Sequence, residues 1–243
     1  MTSPAAIVTG ASRRIGRAIA LHLAKSGYDI AIHYNTSSAA AQTLQREIRD
    51  MGQRAELFAA DLKEPEDVQV MADEIFASFQ NITLLVNNAS MFEKGTMASP
   101  LPEFQNNLNI HLLSPLVLMQ TFALHVKEGL IVNFLDSAIT DDGTPYVPYL
   151  LSKKSLSSLT RMAAVELAPG IRVNGIAPGP ILPPPGQKDG QLQKRAASLP
   201  LQKAGTIDDI LRGIDYLIHS PFVTGEILYI DGGQHLKRYH HAD

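Results

Sequence analysis

The chain of 243 residues has no cysteine and no tryptophan. Without thiols there is no disulfide framework, no thiolate nucleophile and no cysteine-based metal site, which suits a reducing compartment. Charge of one sign is also scarce: 21 Lys and Arg against 24 Asp and Glu leave a formal net charge of −3. With basic residues scattered rather than clustered, there is no electrostatic footprint for nucleic acid. No apolar run reaches the ~20 residues needed to cross a bilayer. Met1-Thr2-Ser3-Pro4 leads into the first apolar run without the charged start and apolar stretch of a signal segment. The expectation is a cytoplasmic protein with neither a membrane nor a nucleic-acid partner. Linkers and low-complexity stretches are missing too, and 45% hydrophobic content over this length suffices for one well-buried domain spanning residues 1–243.

Short apolar runs alternate with helix-length segments. Strands are expected near Ala5 to Thr9, Asp29 to Tyr34, Ala55 to Ala59, Leu84 to Asn87, Leu130 to Leu135, Arg172 to Ile176 and Ile227 to Ile230. Helices are expected over segments such as Ser38 to Met51, Pro65 to Phe79 and Tyr146 to Leu167. This alternation predicts an α/β fold, a doubly wound parallel sheet with helices on both faces. Ligands of such sheets bind beyond the carboxyl ends of the strands, where strand order reverses. From Pro178 to Leu199 the pattern breaks: Pro183-Pro184-Pro185-Gly186 is followed by the polar Gln187-Lys188-Asp189-Gly190. Proline disfavours regular structure, and a long irregular insertion in a compact domain is often functional. The segment at about residues 180–200 is read as a substrate-side lid, with a plain surface loop as the alternative.

Two motifs carry chemistry. Thr9-Gly10-Ala11-Ser12-Arg13-Arg14-Ile15-Gly16 joins the run Ala5-Ala6-Ile7-Val8 to a helical pattern through Ile19, Ala20, Leu23 and Ala24. A strand, a glycine-rich turn and a helix N-terminus together favour a phosphate. Tyr149 and Lys153, four residues apart, stack on one helical face. A phenol titrates near 10, and a neighbouring ammonium is expected to lower that value, so the pair reads as a proton-handling device.

With Asn87-Asn88-Ala89-Ser90 after Leu84-Leu85-Val86, and Pro178-Gly179 downstream, these motifs follow the order and spacing of the short-chain dehydrogenase/reductase family. The chain is identified as a member over Ala5 to Leu236. The resemblance implies a single Rossmann-type sheet of about seven strands and a cofactor site along the chain. It draws on Gly10, Arg13, Arg14 and Ile15, on His33, Tyr34, Asn35 and Ser37, on Asp61 and Leu62, and on Asn87 and Ala89. Tyr149, Lys153, Pro178, Gly179 and Ile181 complete it. Lys153 would bind the nicotinamide ribose. The second strand ends His33-Tyr34-Asn35-Thr36-Ser37 without the acidic residue that binds a ribose 2′-hydroxyl. Arg13 and Arg14 supply guanidinium groups suited to a 2′-phosphate, so the expected cofactor is NADP(H). No metal is expected.

The chain departs from the common family pattern at several positions. Asp136 stands where most members carry a serine that binds the substrate carbonyl, with Ser137 as the competing assignment one residue later. A carboxylate serves a nitrogen heterocycle better than a ketone. Arg14 replaces the middle glycine of the turn, Ser90-Met91-Phe92 replaces the commoner glycine after Asn88-Ala89, and His111 replaces an active-site asparagine. Phe92 is either a flat face for a planar ring or ordinary core. Arg14, Ser90, Phe92, Asp136, Tyr149 and Lys153 together resemble the pteridine reductase branch, including the bacterial dihydromonapterin and dihydrofolate reductases of the short-chain type. That resemblance implies a pterin held between an aromatic ring and the nicotinamide, with its edge bound by Arg14, Ser90, Asp136 and Tyr149.

The expected activity is NADPH-dependent reduction of a 7,8-dihydropterin, with Asp136, Tyr149 and Lys153 as catalytic residues. The alternatives are a carbonyl reductase, for instance of 3-oxoacyl thioesters, in which Ser137 would be essential, and a catalytically silent NADP(H)-binding regulatory protein. The family further implies a homotetramer assembled through helices around Leu108 to Val126 and Tyr146 to Leu167. The terminal stretch His235 to Asp243 is read as frayed beyond Lys237.

Overall fold

Buried on both faces, the inner strands of a parallel sheet favour apolar runs such as Ala5-Ala6-Ile7-Val8 and Leu84-Leu85-Val86, and seven strands form the sheet here. The computed structural model describes residues 3–142, 145–183 and 189–236. The strands are Ala5–Val8 (β1), Asp29–Tyr34 (β2), Ala55–Ala59 (β3), Ile82–Asn87 (β4), Gly129–Phe134 (β5), Ile171–Pro178 (β6) and Ile227–Ile230 (β7). They pair in the order β3-β2-β1-β4-β5-β6-β7, and every pairing is parallel. Val8 at the end of β1 is in register with Ile32 of β2 on one side and Val86 of β4 on the other. The chain therefore reverses its direction of travel across the sheet at β1 and β4, and a crevice opens beyond their carboxyl ends.

The helices are Arg14–Lys25 (α1), Ser38–Asp50 (α2), Pro65–Ser78 (α3), Leu101–Leu108 (α4), Ser114–His125 (α5), Val147–Glu166 (α6), Asp189–Ala197 (α7) and Ile207–His219 (α8). They cover the sheet in two layers because β1 alternates: Ala6 and Val8 face a core shared with α1, α2 and α8, whereas Ala5 and Ile7 face one shared with α3, α5 and α6. Ile19, Leu23, Leu44, Ile48, Ile210 and Ile214 fill the first core; Val68, Met71, Ile75, Leu118 and Phe122 fill the second. Between α4 and α5 the helix widens into a π-helical turn, Asn109–Leu113, which carries His111. Such a turn aims side chains that a continuous α-helix would direct elsewhere.

The segment expected to be irregular from Pro178 to Leu199 is corrected in part. β6 runs through Pro178, and α7 forms within the insertion. Past the prolines, Leu192, Gln193, Lys194, Arg195, Ala196 and Ala197 are all good helix formers. Residues 184–188 and the terminal segment from Lys237 lie outside the described residues. No helix among the described residues is long and apolar enough to cross a membrane.

Candidate active site

The turn from β1 to α1 is shaped by close approach. Gly10 has φ +63°, and a Cβ there would lie 2.9 Å from the Ala89 Cα; one on Gly16 would lie 2.3 Å from the Gly10 carbonyl oxygen. Only glycine lets the turn pack this tightly on the end of β4. Thr9 Oγ1 accepts the amide protons of Asn88 and Ala89, each at 3.0 Å, which ties the ends of β1 and β4 together. His33, expected as a cofactor contact, borders the cleft but uses both ring nitrogens on the backbone. Nδ1 accepts the Gly10 amide proton at 3.0 Å and Nε2 donates to Ala60 O at 3.2 Å. Burial pushes its pKa from 6.5 down to about 4, so it is a neutral pin under the turn.

Helix α1 starts without a side-chain cap and without an acidic residue in its first turn, leaving its positive end open to an anion. The cleft above it measures about 460 Å³. Gly10, Arg13, Arg14 and Ile15 line it from the turn, and Tyr34, Asn35 and Ser37 from the end of β2. Asp61, Leu62 and Ala89 close it. These residues fit NADP(H): Arg13 and Arg14 are exposed, and no carboxylate stands at the end of β2. Asn87 is a correction. Its side chain points into the sheet, donating to Asn133 Oδ1 at 2.9 Å, and it is buried because it lies inside β4 rather than beyond it. Asn88, one residue later, lines the cleft instead.

A second cleft of about 330 Å³ continues from the first and shares Arg14, Ile15, Asn88 and Ser90 with it. Pro178, Gly179 and Ile181 form one wall and Phe92, Asp136, Tyr149 and Lys153 the other. Asp136 follows the end of β5 and caps the short turn after it, with Oδ1 accepting the Ala138 amide proton at 2.8 Å. Its Oδ2 accepts the Tyr149 hydroxyl proton at 2.9 Å. Burial raises the Asp136 pKa above the usual carboxylate value, against the lowering effect of its hydrogen bonds and of Lys153.

The expectation that Lys153 lowers the Tyr149 pKa is overturned. Tyr149 is pushed well above the ordinary phenol value, first by burial and then by the adjoining Asp136 charge. Lys153 Nζ donates to Phe134 O at 2.7 Å and sits 6.0 Å from the Tyr149 ring centroid. Burial lowers the Lys153 pKa to about 8.

Phe92 is not core: it is 41% exposed, with one face stacked on Tyr146 at 4.4 Å and its ring edge-on to Tyr149 at 4.9 Å. It lines the second cleft. Ser137 is 1% exposed and its Oγ is buried without a hydrogen-bond partner; Asp136 and Ser137 both line the cleft, and of the two only Asp136 is hydrogen-bonded to Tyr149. Arg14 holds φ 54° and donates from Nη2 to Pro183 O at 2.8 Å, bridging the turn to the segment that follows β6. His111 is buried against Ser90, Met91 and Ser152. Burial and the Lys153 charge lower its pKa well below 6.5, so it is neutral. Arg195 and Gln234 also line the second cleft and were not expected there. The helix formers after the prolines are a signal for Arg195; nothing in the sequence marks Gln234.

Residues 10–235 match the family model described as enoyl-(acyl carrier protein) reductase. The 3-oxoacyl-(acyl-carrier-protein) reductase of Staphylococcus aureus is 31% identical over 241 residues, covering 95% of this chain and 98% of that protein. The dihydromonapterin reductase of Escherichia coli is 30% identical over 243 residues, covering 95% and 96%. Among solved structures, the FolM alternative dihydrofolate reductase 1 of Brucella suis, in complex with NADP, superposes with a TM-score of 0.92 at 34% identity, covering 97% of this chain and 96% of that one. With a glycine-rich turn at the switch point of a seven-stranded parallel sheet, and a tyrosine and lysine four residues apart in the adjoining cleft, the chain belongs to the short-chain dehydrogenase/reductase family of oxidoreductases.

Proposed function

We propose that the protein reduces a 7,8-dihydropterin, of the dihydromonapterin, dihydrobiopterin or dihydrofolate type, to the tetrahydropterin with NADPH. The hydrogen bond from the Tyr149 hydroxyl to Asp136 Oδ2 at 2.9 Å carries this reading. A carbonyl reductase aims its phenolic proton at the substrate oxygen. Here a carboxylate takes that proton, so the tyrosine and the aspartate both turn acceptor oxygens toward the cleft. A dihydropterin, rich in N–H groups, fits acceptors; a ketone oxygen does not.

The reaction adds a hydride to C6 and a proton to N5 of the C6=N5 bond. NADPH, when bound, supplies the hydride. Asp136, whose pKa burial raises, relays the balancing proton from solvent to N5, and Tyr149 stays a neutral phenol that donates a hydrogen bond to the same carboxylate. Lys153, fixed by Phe134 O, keeps an ammonium below pH about 8 beside both groups. The free face of Phe92 orients a flat ring, and Arg14 closes the cleft through the lid carbonyl of Pro183. The dihydromonapterin reductase and FolM relatives support this reading.

The similar identity to a 3-oxoacyl-(acyl-carrier-protein) reductase favours a second reading, reduction of a 3-oxo thioester. The test is steady-state NADPH oxidation with 7,8-dihydromonapterin, 7,8-dihydrobiopterin, dihydrofolate and an acetoacetyl thioester, with NADH as control. Preference for a dihydropterin and NADPH is expected; turnover of the thioester alone would replace the first reading by the second. The reading includes a homotetramer built on α5 and α6, whose outward Leu124, Met162 and Val165 are 82%, 66% and 81% exposed.

A further inference from the structure

The hydride and proton steps leave His111 without a task. Its ring is 1% exposed and stands edge-on to Tyr149, with centroids 5.3 Å apart. Nε2 lies 3.2 Å from the Met91 amide nitrogen and 2.9 Å from Ser90 Oγ. Nδ1 lies 2.8 Å from Ser152 Oγ, whose own proton goes to the Tyr149 carbonyl oxygen at 2.6 Å. An amide nitrogen only donates, so Nε2 is an acceptor and the ring proton resides on Nδ1. Ser152 Oγ therefore accepts from Nδ1, and toward Nε2 the Ser90 hydroxyl has no role except donor. Two other acceptors compete for the Ser90 proton: Met91 O at 3.2 Å, within the protein, and the Tyr149 hydroxyl oxygen at the cleft. Only when the proton goes inward, to Nε2 at the shorter 2.9 Å or to Met91 O, is Ser90 Oγ left as an acceptor at the cleft that it lines.

We propose that His111 is a positioning residue that sets the polarity of Ser90. By drawing the serine proton inward it makes Ser90 Oγ an obligate acceptor, so this edge of the cleft selects substrates that present an N–H or NH2 group over those that present an oxygen. The inference rests on the dihydropterin reading, and it adds the agent that orders one of the acceptors. It also joins two separate elements: the loop after β4 that carries Ser90, and the first turns of α6 that carry Tyr149 and Ser152.

The test compares wild type, His111→Leu, His111→Gln, Ser90→Ala and the double variant Ser90→Ala/His111→Leu. The readouts are KM for the dihydropterin and Kd for NADPH by fluorescence titration. In His111→Leu the Ser90 proton is released, and the dihydropterin KM is expected to rise about tenfold, the loss of one ordered hydrogen bond, while NADPH Kd stays within about twofold. His111→Gln, whose Oε1 can stand in for Nε2, restores KM. The double variant matches Ser90→Ala alone, because His111 acts through that hydroxyl.

Additive losses, an unchanged KM in His111→Leu, or a parallel loss of NADPH affinity that Gln does not rescue would each overturn the proposal. If His111→Leu does not fold, His111→Asn makes the same comparison with Gln, since Asn keeps a donor toward Ser152 but reaches less far toward Ser90. A wild type with no dihydropterin turnover defeats the substrate reading and this inference together. An active wild type whose His111 variants are unaffected defeats the inference alone.

Discussion

Tyr149 and Asp136 share one proton across 2.9 Å, and a single isosteric change should reverse its direction. In Asp136→Asn the amide oxygen keeps the Ala138 N–H, so the amide nitrogen must donate to Tyr149, and the phenol then turns its own proton to the cleft. The kcat/KM for a dihydropterin is expected to fall by about 10²–10³, the scale of a lost acid–base group, with NADPH affinity retained; full turnover by this variant would remove the aspartate from the chemistry.

His33 makes a separate prediction in acid. Its folded pKa of about 4 lies below the ordinary 6.5, so the unfolded chain takes up the proton first. The stability it contributes is intact above about pH 6.5 and is lost as pH falls toward 4, a difference of about 3 kcal/mol. The urea midpoint of the wild type should fall more steeply over this window than that of His33→Asn, which keeps an acceptor for the Gly10 amide without titrating. Parallel pH profiles would rule the histidine out. The spacing of Tyr149 and Lys153 is legible in the sequence, whereas the sign of the tyrosine shift is not. That sign is decided by burial and by an aspartate 13 positions away on another element, which no periodicity connects to the helix.

The turn from β1 to α1 places a non-glycine residue in a left-handed conformation. Arg14 at φ 54° stands where backbone strain costs about 1–2 kcal/mol. Arg14→Gly should therefore raise the unfolding free energy of the cofactor-free protein by up to about 1 kcal/mol, while NADPH affinity drops about tenfold for lack of the guanidinium. Thermal unfolding and fluorescence titration on the same variant check both signs, and a destabilised variant would mean the strain is absent. Elements whose pattern is local were readable in the sequence. The strands near Ala55 to Ala59 and Ile227 to Ile230 appear with the expected bounds because short, predominantly apolar runs between helix-length segments mark even the edge strands of the sheet. Helix α7 and the π-helical turn under His111 were not read. One is hidden behind a proline run, and the other leaves no mark in residue type, since widening a helix by one residue depends on what packs against it.

On the scale of the whole molecule, the outward apolar side chains of α5 and α6 are the feature a solitary protomer would leave wet. Met162→Glu with Val165→Glu is expected to convert the proposed tetramer to smaller species in sedimentation velocity, with NADPH binding retained, since neither residue lines the cofactor cleft. A wild type that sediments as a monomer would discard the assembly. The overall architecture was legible from alternation alone, and the shared position of the motifs followed from it, since each lies past a strand's carboxyl end.

The pairing of β1 with β4 has a kinetic meaning. Val8 and Val86 are separated in the chain by three crossovers, through α1, α2 and α3, and Asp136 and Tyr149 join them from the far half of the chain. Such distant contacts are entropically costly to close and slow to form. No fragment of the chain contains a working site, so the ability to bind the dinucleotide should appear late in refolding, together with the final cooperative step.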